Sequence, residues 1–244
     1  MIAGIFHEGS GLGNQLHRYV ATRVLALDKG YEWGMIFADR FKGEEFMPLD
    51  KGKETFEFLH KFEEKKVVEN GIDIRPYDPE INFVQDNTII DGEFQDEKYF
   101  KHRLNNVRDW LRVEPLQMPD DLCIIGFRGG EYKHFPDLFL PASYWARAMA
   151  MMREKYPGIR FEVHTDDPVT AKDFFGVECI HDIGLNWRSI RYAKHLIIAN
   201  SSFFIFPALL NEDVKEIIAP RYWARHNVGI WALPQNYYGR FTYI

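Results

Sequence analysis

Ile2 to Phe6 is a short continuous apolar run, the pattern of a strand buried on both faces. Gly9-Ser10-Gly11-Leu12-Gly13-Asn14 then predicts a turn. Leu16, Tyr19, Val20, Val24 and Leu27 recur at the spacing of one helical face, and Gly30 is the predicted stop. Gly34 to Ala38 and Thr88 to Ile90 read as further strands. Between them, residues 40 to 87 are rich in Lys, Glu and Asp without a sustained period, and predict no element. Phe100, Leu104, Val107 and Leu111 share one face of an amphipathic helix predicted over Glu97 to Arg112.

Glu114-Pro115 to Pro119-Asp120-Asp121 has the composition of a linker, and a regular alternation opens after it. Leu122 to Phe127 predicts a buried strand. A helix is predicted over Ser143 to Tyr156 with Tyr144, Ala148, Met151 and Met152 on one face. Phe161 to Thr165 reads as a strand, Asp166-Asp167-Pro168 as the start of a short helix, and the region around Ile190 to Lys194 as another helix. The strand Leu196 to Ala199 leads into Asn200-Ser201-Ser202 and a helical run that Pro207 should kink or delay. Val214 to Ile218 is the last predicted strand. Strands alternating with helices give an α/β class with parallel sheets. The expected organisation is two Rossmann-like domains, 1–118 and 119–244, hinged near residue 118 with their sheets facing across a cleft.

Composition narrows the function. At 244 residues the chain should bury about three quarters of its surface, enough for a core without a disulfide or metal staple. Thirty Lys and Arg against 36 Asp and Glu give a net charge of −6, without the basic excess of a general nucleic-acid binder. Cys123 and Cys179 lie far apart in separate apolar segments and read as reduced core thiols. The first residues lack a basic export signal, and the longest apolar run, Leu196 to Leu210, is broken by Asn200, Ser201, Ser202 and Pro207. A cytoplasmic protein without a transmembrane segment is expected.

Ligands of open parallel sheets bind at the carboxyl ends of the strands. In the second half those ends carry Arg128-Gly129-Gly130-Glu131-Tyr132, Asp166-Asp167 and Asn200-Ser201-Ser202. In the first half the turn Gly9 to Asn14 sits at such an end. Asn14 occupies the third glycine position of a dinucleotide fingerprint, and the Gly-Lys-Ser/Thr of a phosphate loop is missing. Asp167 followed by Pro168 is explained as a helix cap, whereas Asp166 is not. Arg128 beside two glycines suggests close backbone approach to phosphate. Adjacent carboxylates are not the spaced pair of a metal-dependent transferase, and zinc-site spacing is absent, so no metal is assigned. His7, between the first strand and the glycine turn, is a candidate for cleft exposure.

Gly11-Leu12-Gly13-Asn14-Gln15, Phe94-Gln95-Asp96-Glu97-Lys98-Tyr99-Phe100, Phe127-Arg128-Gly129-Gly130-Glu131-Tyr132, Thr165-Asp166-Asp167 and Asn200-Ser201-Ser202-Phe203 resemble, in order and spacing, the bacterial α-1,2-fucosyltransferases. The resemblance implies a GT-B architecture and inverting, metal-free transfer of fucose from GDP-fucose to a glycan acceptor, with no cofactor. It puts the diphosphate-holding arginine on Arg128 and the acidic nucleoside turn on Asp166 and Asp167. The phosphate-side turn falls on Asn200, Ser201, Ser202 and Phe203, and the N-terminal donor border on Gly11, Gly13 and Asn14. The family's central His is Gly126 here, its second Arg is Gly129 and its Asp is Glu131. Inverting transfer usually uses a general base, for which Glu131 and Asp137 are the candidates. Two other readings remain open: a transferase using another GDP-sugar, and a non-catalytic nucleotide- or glycan-binding protein.

Overall fold

Short apolar runs become central strands here because each acquires hydrogen-bonded neighbours on both edges. The computed structural model describes residues 1–69, 72–224 and 238–244. They form two compact units that divide between Val113 and Glu114.

The first unit contains β1 (Ile2–Ile5), α1 (Leu12–Lys29), β2 (Trp33–Ile36), β3 (His60–Glu63), β4 (Val67–Glu69), β5 (Ile72–Ile74), β6 (Thr88–Asp91) and α2 (Leu104–Trp110). One sheet has the order β2-β1-β6-β3 with every pairing parallel, and β4 and β5 form a separate antiparallel pair. The order reverses between β1 and β6. From β1 the chain passes through α1 to β2 on one side, whereas it reaches β6 from β3 on the other. Helix α1 buries Leu16, Tyr19, Val20 and Val24, and Gly30 closes it in the left-handed conformation at φ 67°. A side chain at Gly4 would overlap Thr22 Oγ1, so α1 lies flush on β1.

Two expectations for this unit need correction. The helix expected over 97 to 112 is two 3₁₀ turns, Glu97–Tyr99 and Lys101–Arg103, and only then α2. Phe100, at φ −143°, interrupts the helix between the two turns, with Tyr99 and Phe100 both buried. The stretch from 40 to 87 holds three strands. Strand β3 carries His60, Lys61 and Glu63 exposed on a sheet edge, so it has no hydrophobic alternation to read.

The second unit contains β7 (Leu122–Phe127), α3 (Ala142–Lys155), β8 (Arg160–Thr165), α4 (Pro168–Phe175), β9 (Cys179–Ile180), α5 (Ile183–Tyr192), β10 (His195–Ile198), α6 (Ser202–Leu210), β11 (Glu216–Ala219) and β12 (Thr242–Tyr243). Its sheet runs β12-β11-β10-β7-β8-β9, entirely parallel. Counting β7 as the first strand, this is the doubly wound order 3-2-1-4-5-6, with its switch point between β7 and β10. The Phe127 ring packs on Trp145 of α3 at 5.4 Å and on Phe174 and Phe175 of α4 at 5.3 and 5.5 Å. Trp187 of α5 meets Phe203 and Phe206 of α6.

Here α5 begins at Ile183, seven residues before the predicted helix, with Asp182 accepting the Leu185 N–H at 2.6 Å. Its buried face includes the polar residues Asn186 and Ser189 beside Trp187 and Ile190. Strand β11 starts two residues later than expected, and β12 was not anticipated. Helix α6 runs from Ser202 through Pro207 without delay. Cys123 is buried and Cys179 is half-buried, and neither is bonded to the other. Among the described residues no helix is long and apolar enough to cross a membrane.

Candidate functional site

In the second unit, β7 delivers Arg128 to the carboxyl edge of the sheet, and β8 delivers Asp166 and Asp167 beside it. Arg128 Nη1 donates to Asp166 Oδ2, and Nη2 donates to Glu131 Oε1 at 2.5 Å. The guanidinium also lies over the Tyr132 ring at 5.2 Å. The Gly129 N–H donates to Asp166 Oδ1 at 3.0 Å. Burial pushes the Asp166 carboxyl above its ordinary range, against the pull of Arg128 and the Gly129 amide. Arg128 therefore answers the question Asp166 raised in the sequence.

Asp167 has a different task. It accepts the Thr170 N–H at 3.1 Å, capping α4, along with the Thr170 hydroxyl and Lys133 Nζ, both at 2.7 Å. Burial pushes its carboxyl up, but these bonds outweigh it and hold it down at about 2.

The glycines beside Arg128 make room for the acidic turn. A side chain at Gly129 would come within 2.7 Å of Asp167 Cβ, and one at Gly130, where φ is 28°, would overlap Asp166 Oδ2. The close approach they permit is made by the acidic turn itself. Gly126 is explained the same way, because a Cβ there would lie 2.8 Å from the Phe204 ring. The His and second Arg of the resembled motif have no room at positions 126 and 129.

Across the switch point, β10 leads to Asn200 and to Ser201, the N-cap of α6. Asn200 is buried, and its amide donates to the Leu138 and Trp223 carbonyls at 2.9 and 2.6 Å. It draws together two loops whose neighbouring residues line a cavity of about 410 Å³. Tyr144, Arg147, Arg221 and Tyr222 line that cavity; the sequence had read Tyr144 only as part of a helix face and had not singled out the other three. Ser201 is buried, Ser202 is half-buried, and Phe203 packs on Trp187. Tyr132 Oη donates to the Asn200 carbonyl at 3.4 Å, linking the arginine loop to this turn. Asp137 is exposed in the same loop as Glu131.

In the first unit the turn Gly9 to Asn14 stands at the carboxyl edge of β1. Gly11 is the N-cap of α1 with φ −68°, and a Cβ there would meet nothing within 4 Å. Neither conformation nor packing requires glycine at that position. Gly13 is buried one residue into the helix. Asn14 Oδ1 accepts the Gln95 amide at 2.9 Å, joining two of the motifs that the sequence singled out. Arg18, inside α1, ties the turn to β6 by donating to Ser10 Oγ and to the Gly92 carbonyl, both at 2.6 Å. Buried Glu64 Oε2 accepts the N–H groups of Glu93 and Phe94 at 2.6 and 3.0 Å, and burial pushes its carboxyl up. Arg18 and Glu64 carried no signal in the sequence, since a charge on a helix or at a strand edge reads as solvated. Among the described residues no group of three His, Cys, Asp or Glu side chains could hold a metal ion.

No protein-family model and no curated protein matches the chain. Among solved structures it is similar to the E. coli heptosyltransferase WaaC with ADP, at 12% identity and a TM-score of 0.44, over 91% of this chain and 88% of that one.

Proposed function

We propose that this chain is a glycosyltransferase taking a nucleotide-sugar donor, and more narrowly a metal-independent inverting enzyme that moves fucose from GDP-fucose to a glycan hydroxyl. One observation carries the reading: Arg128 follows β7 and Ser201 caps α6 after β10, the two strands between which this sheet of Rossmann strand order reverses. The motif order across the chain supports the choice of fucose, and the GT-B arrangement belongs to the same reading.

The chemistry follows from charge. Breaking the sugar–phosphate bond puts negative charge on the leaving diphosphate while the sugar becomes oxocarbenium-like. A bidentate guanidinium and helix N-terminal N–H groups can hold that charge. Arg128 supplies the first, and the turn at Ser201 and Ser202, where α6 begins, supplies the second. Before a diphosphate can take both guanidinium edges, one carboxylate must let go. Glu131 is 60% exposed and Asp166 is 27% exposed, so Glu131 is the one that yields. Asp166 and Asp167 then keep the arginine loop in register. The cavity with Arg147, Arg221 and two tyrosines suits an aromatic, anionic nucleotide portion. In this reading the second unit holds the donor and the first the acceptor. Glu131 and Asp137 are the carboxylates of the arginine loop available as base.

The test is release of GDP from GDP-fucose with lactose present, with and without EDTA. Acceptor-stimulated release that survives EDTA supports the reading. Release abolished by EDTA contradicts the metal-free mechanism, and GDP binding without release favours a binding protein.

A further inference from the structure

The cavity of the second unit, between the start of α3 and the ends of β11 and β12, has charged groups of one kind only. Among the described residues its lining includes two guanidiniums, Arg147 and Arg221, and no carboxylate or amide side chain. Neither guanidinium has a hydrogen-bond or ion-pair partner among the described residues. Arg128, by contrast, is held by two carboxylates. In a chain of net charge −6, two arginines left without an acid suit a ligand rich in acceptors. The backbone at Arg221 is fixed, because its N–H donates to the Ile244 oxygen at 2.9 Å. The Tyr144 hydroxyl spends its proton on the Ile198 carbonyl at 2.7 Å, and half-buried Tyr222 adds an aromatic ring to the wall.

A guanidinium donates and never accepts, so this pair selects the edge a ligand presents. Guanine places two acceptors, O6 and N7, side by side at the spacing of the guanidinium fork. Adenine puts its amino donor beside N7, and a pyrimidine offers one oxygen on the corresponding edge. The place along the sheet also fits. Strands β7, β10 and β11 are consecutive, so the ends of β7 and β11 stand two strand spacings apart, about 10 Å. A ribose spans that gap between a base near Arg221 and a diphosphate on Arg128. Tyr132, beneath the Arg128 guanidinium, donates to the Asn200 carbonyl, and the Asn200 amide holds the loops of both cavity walls.

We propose that Arg147 and Arg221 read the base of the nucleotide and select guanine, by its O6 and N7 edge, over adenine and uracil. This rests on the nucleotide-sugar reading and adds which groups choose the base. Arg128 binds the diphosphate, which every nucleotide donor shares, and so contributes affinity without discrimination. Arg147 and Arg221 contribute the discrimination.

Titration calorimetry of the full-length protein with GDP, ADP, UDP, IDP and 7-deaza-GDP tests this, in the wild type and in Arg147→Ala, Arg221→Ala and Arg221→Gln variants. Both arginines are exposed, so the variants should fold. Wild-type protein should bind GDP about 5- to 150-fold more tightly than ADP or UDP, the worth of one bidentate arginine–guanine contact. IDP keeps O6 and N7 and should match GDP, whereas 7-deaza-GDP lacks N7 and should lose most of the preference. Each alanine variant should lower the ratio of GDP to ADP affinity and leave ADP affinity in place. Arg221→Gln should move the preference toward ADP, because an amide pairs with adenine N6 and N7. An equal loss of GDP, ADP and UDP in the alanine variants overturns the proposal, since the arginines would then hold phosphate. Wild-type protein that binds ADP as tightly as GDP also overturns it and leaves the nucleotide reading standing. Wild-type protein that binds none of these nucleotides overturns both.

Discussion

Gly126→Ala probes the packing that aligns α6 with β7, and so the position of the Ser201 turn relative to Arg128. The added methyl would sit 2.8, 2.9 and 3.2 Å from three carbons of the Phe204 ring. Ordinary carbon contacts lie at about 3.5–4.0 Å, so the ring must retreat by roughly 1 Å. Phe204 is 2% exposed and its ring meets Phe203 at 5.3 Å, leaving little slack. Overpacking of this kind costs about 1–3 kcal/mol. At about 2–4 °C per kcal/mol for a chain of this size, the second unit should melt roughly 2–12 °C lower. Urea unfolding followed by tryptophan fluorescence, using Trp145 and Trp187, measures it. Pairing the change with Phe204→Leu should return part of the loss, with a coupling energy of about 0.5–3 kcal/mol. A Gly126→Ala protein within about 0.5 kcal/mol of wild type, or strict additivity in the double variant, would refute the packing argument.

Other consequences concern charge. Glu131→Gln removes the exposed carboxylate that competes with diphosphate for Arg128, so GDP should bind roughly two- to fivefold tighter, the worth of one exposed charge. Weaker binding by titration calorimetry would mean that Glu131 helps to hold the donor. His17 is fully buried against the Gly13 carbonyl, and burial lowers its imidazole to about 4. Because the neutral form is the folded one, its share of stability is present above pH 6.5. That share is lost as pH falls from 6.5 toward 4, by up to about 3 kcal/mol. His17→Gln should flatten this part of the stability–pH curve, and an unchanged slope in urea titrations from pH 7 to 4.5 would contradict the assignment.

Much of the second unit was legible because β7 and most of β10 are apolar, and because Arg128, Asp166 and Asn200 mark the ends of β7, β8 and β10. Periodicity failed where burial was polar. The inner face of α5 carries Asn186, which is bonded to His164 and to the Thr165 carbonyl, a polar residue where an apolar one is looked for. It failed again at β3, whose exposed edge resembles a loop in composition. The glycines flanking Arg128 were read from the sequence as making room for a phosphate. A sequence does not show that the acidic turn would fill that room, since the approach depends on how β7 and β8 align. The hydrogen bond between His7 Nε2 and Asp91 Oδ1, at 2.8 Å in the first unit, was half visible. His7 stood out at a strand end, but a partner 84 residues away becomes apparent only when β1 and β6 pair.

The measurement closest to the central claim is the thermal shift of the second unit, within the full chain, against GDP, GDP-fucose, GDP-mannose, UDP-glucose and NAD. A ligand at about 100 times its Kd adds roughly 2.7 kcal/mol, or several degrees. The account predicts a shift selective for guanine nucleotides that Arg128→Ala abolishes. A shift of the same size in Arg128→Ala, or none with any of these nucleotides in the wild type, would contradict it.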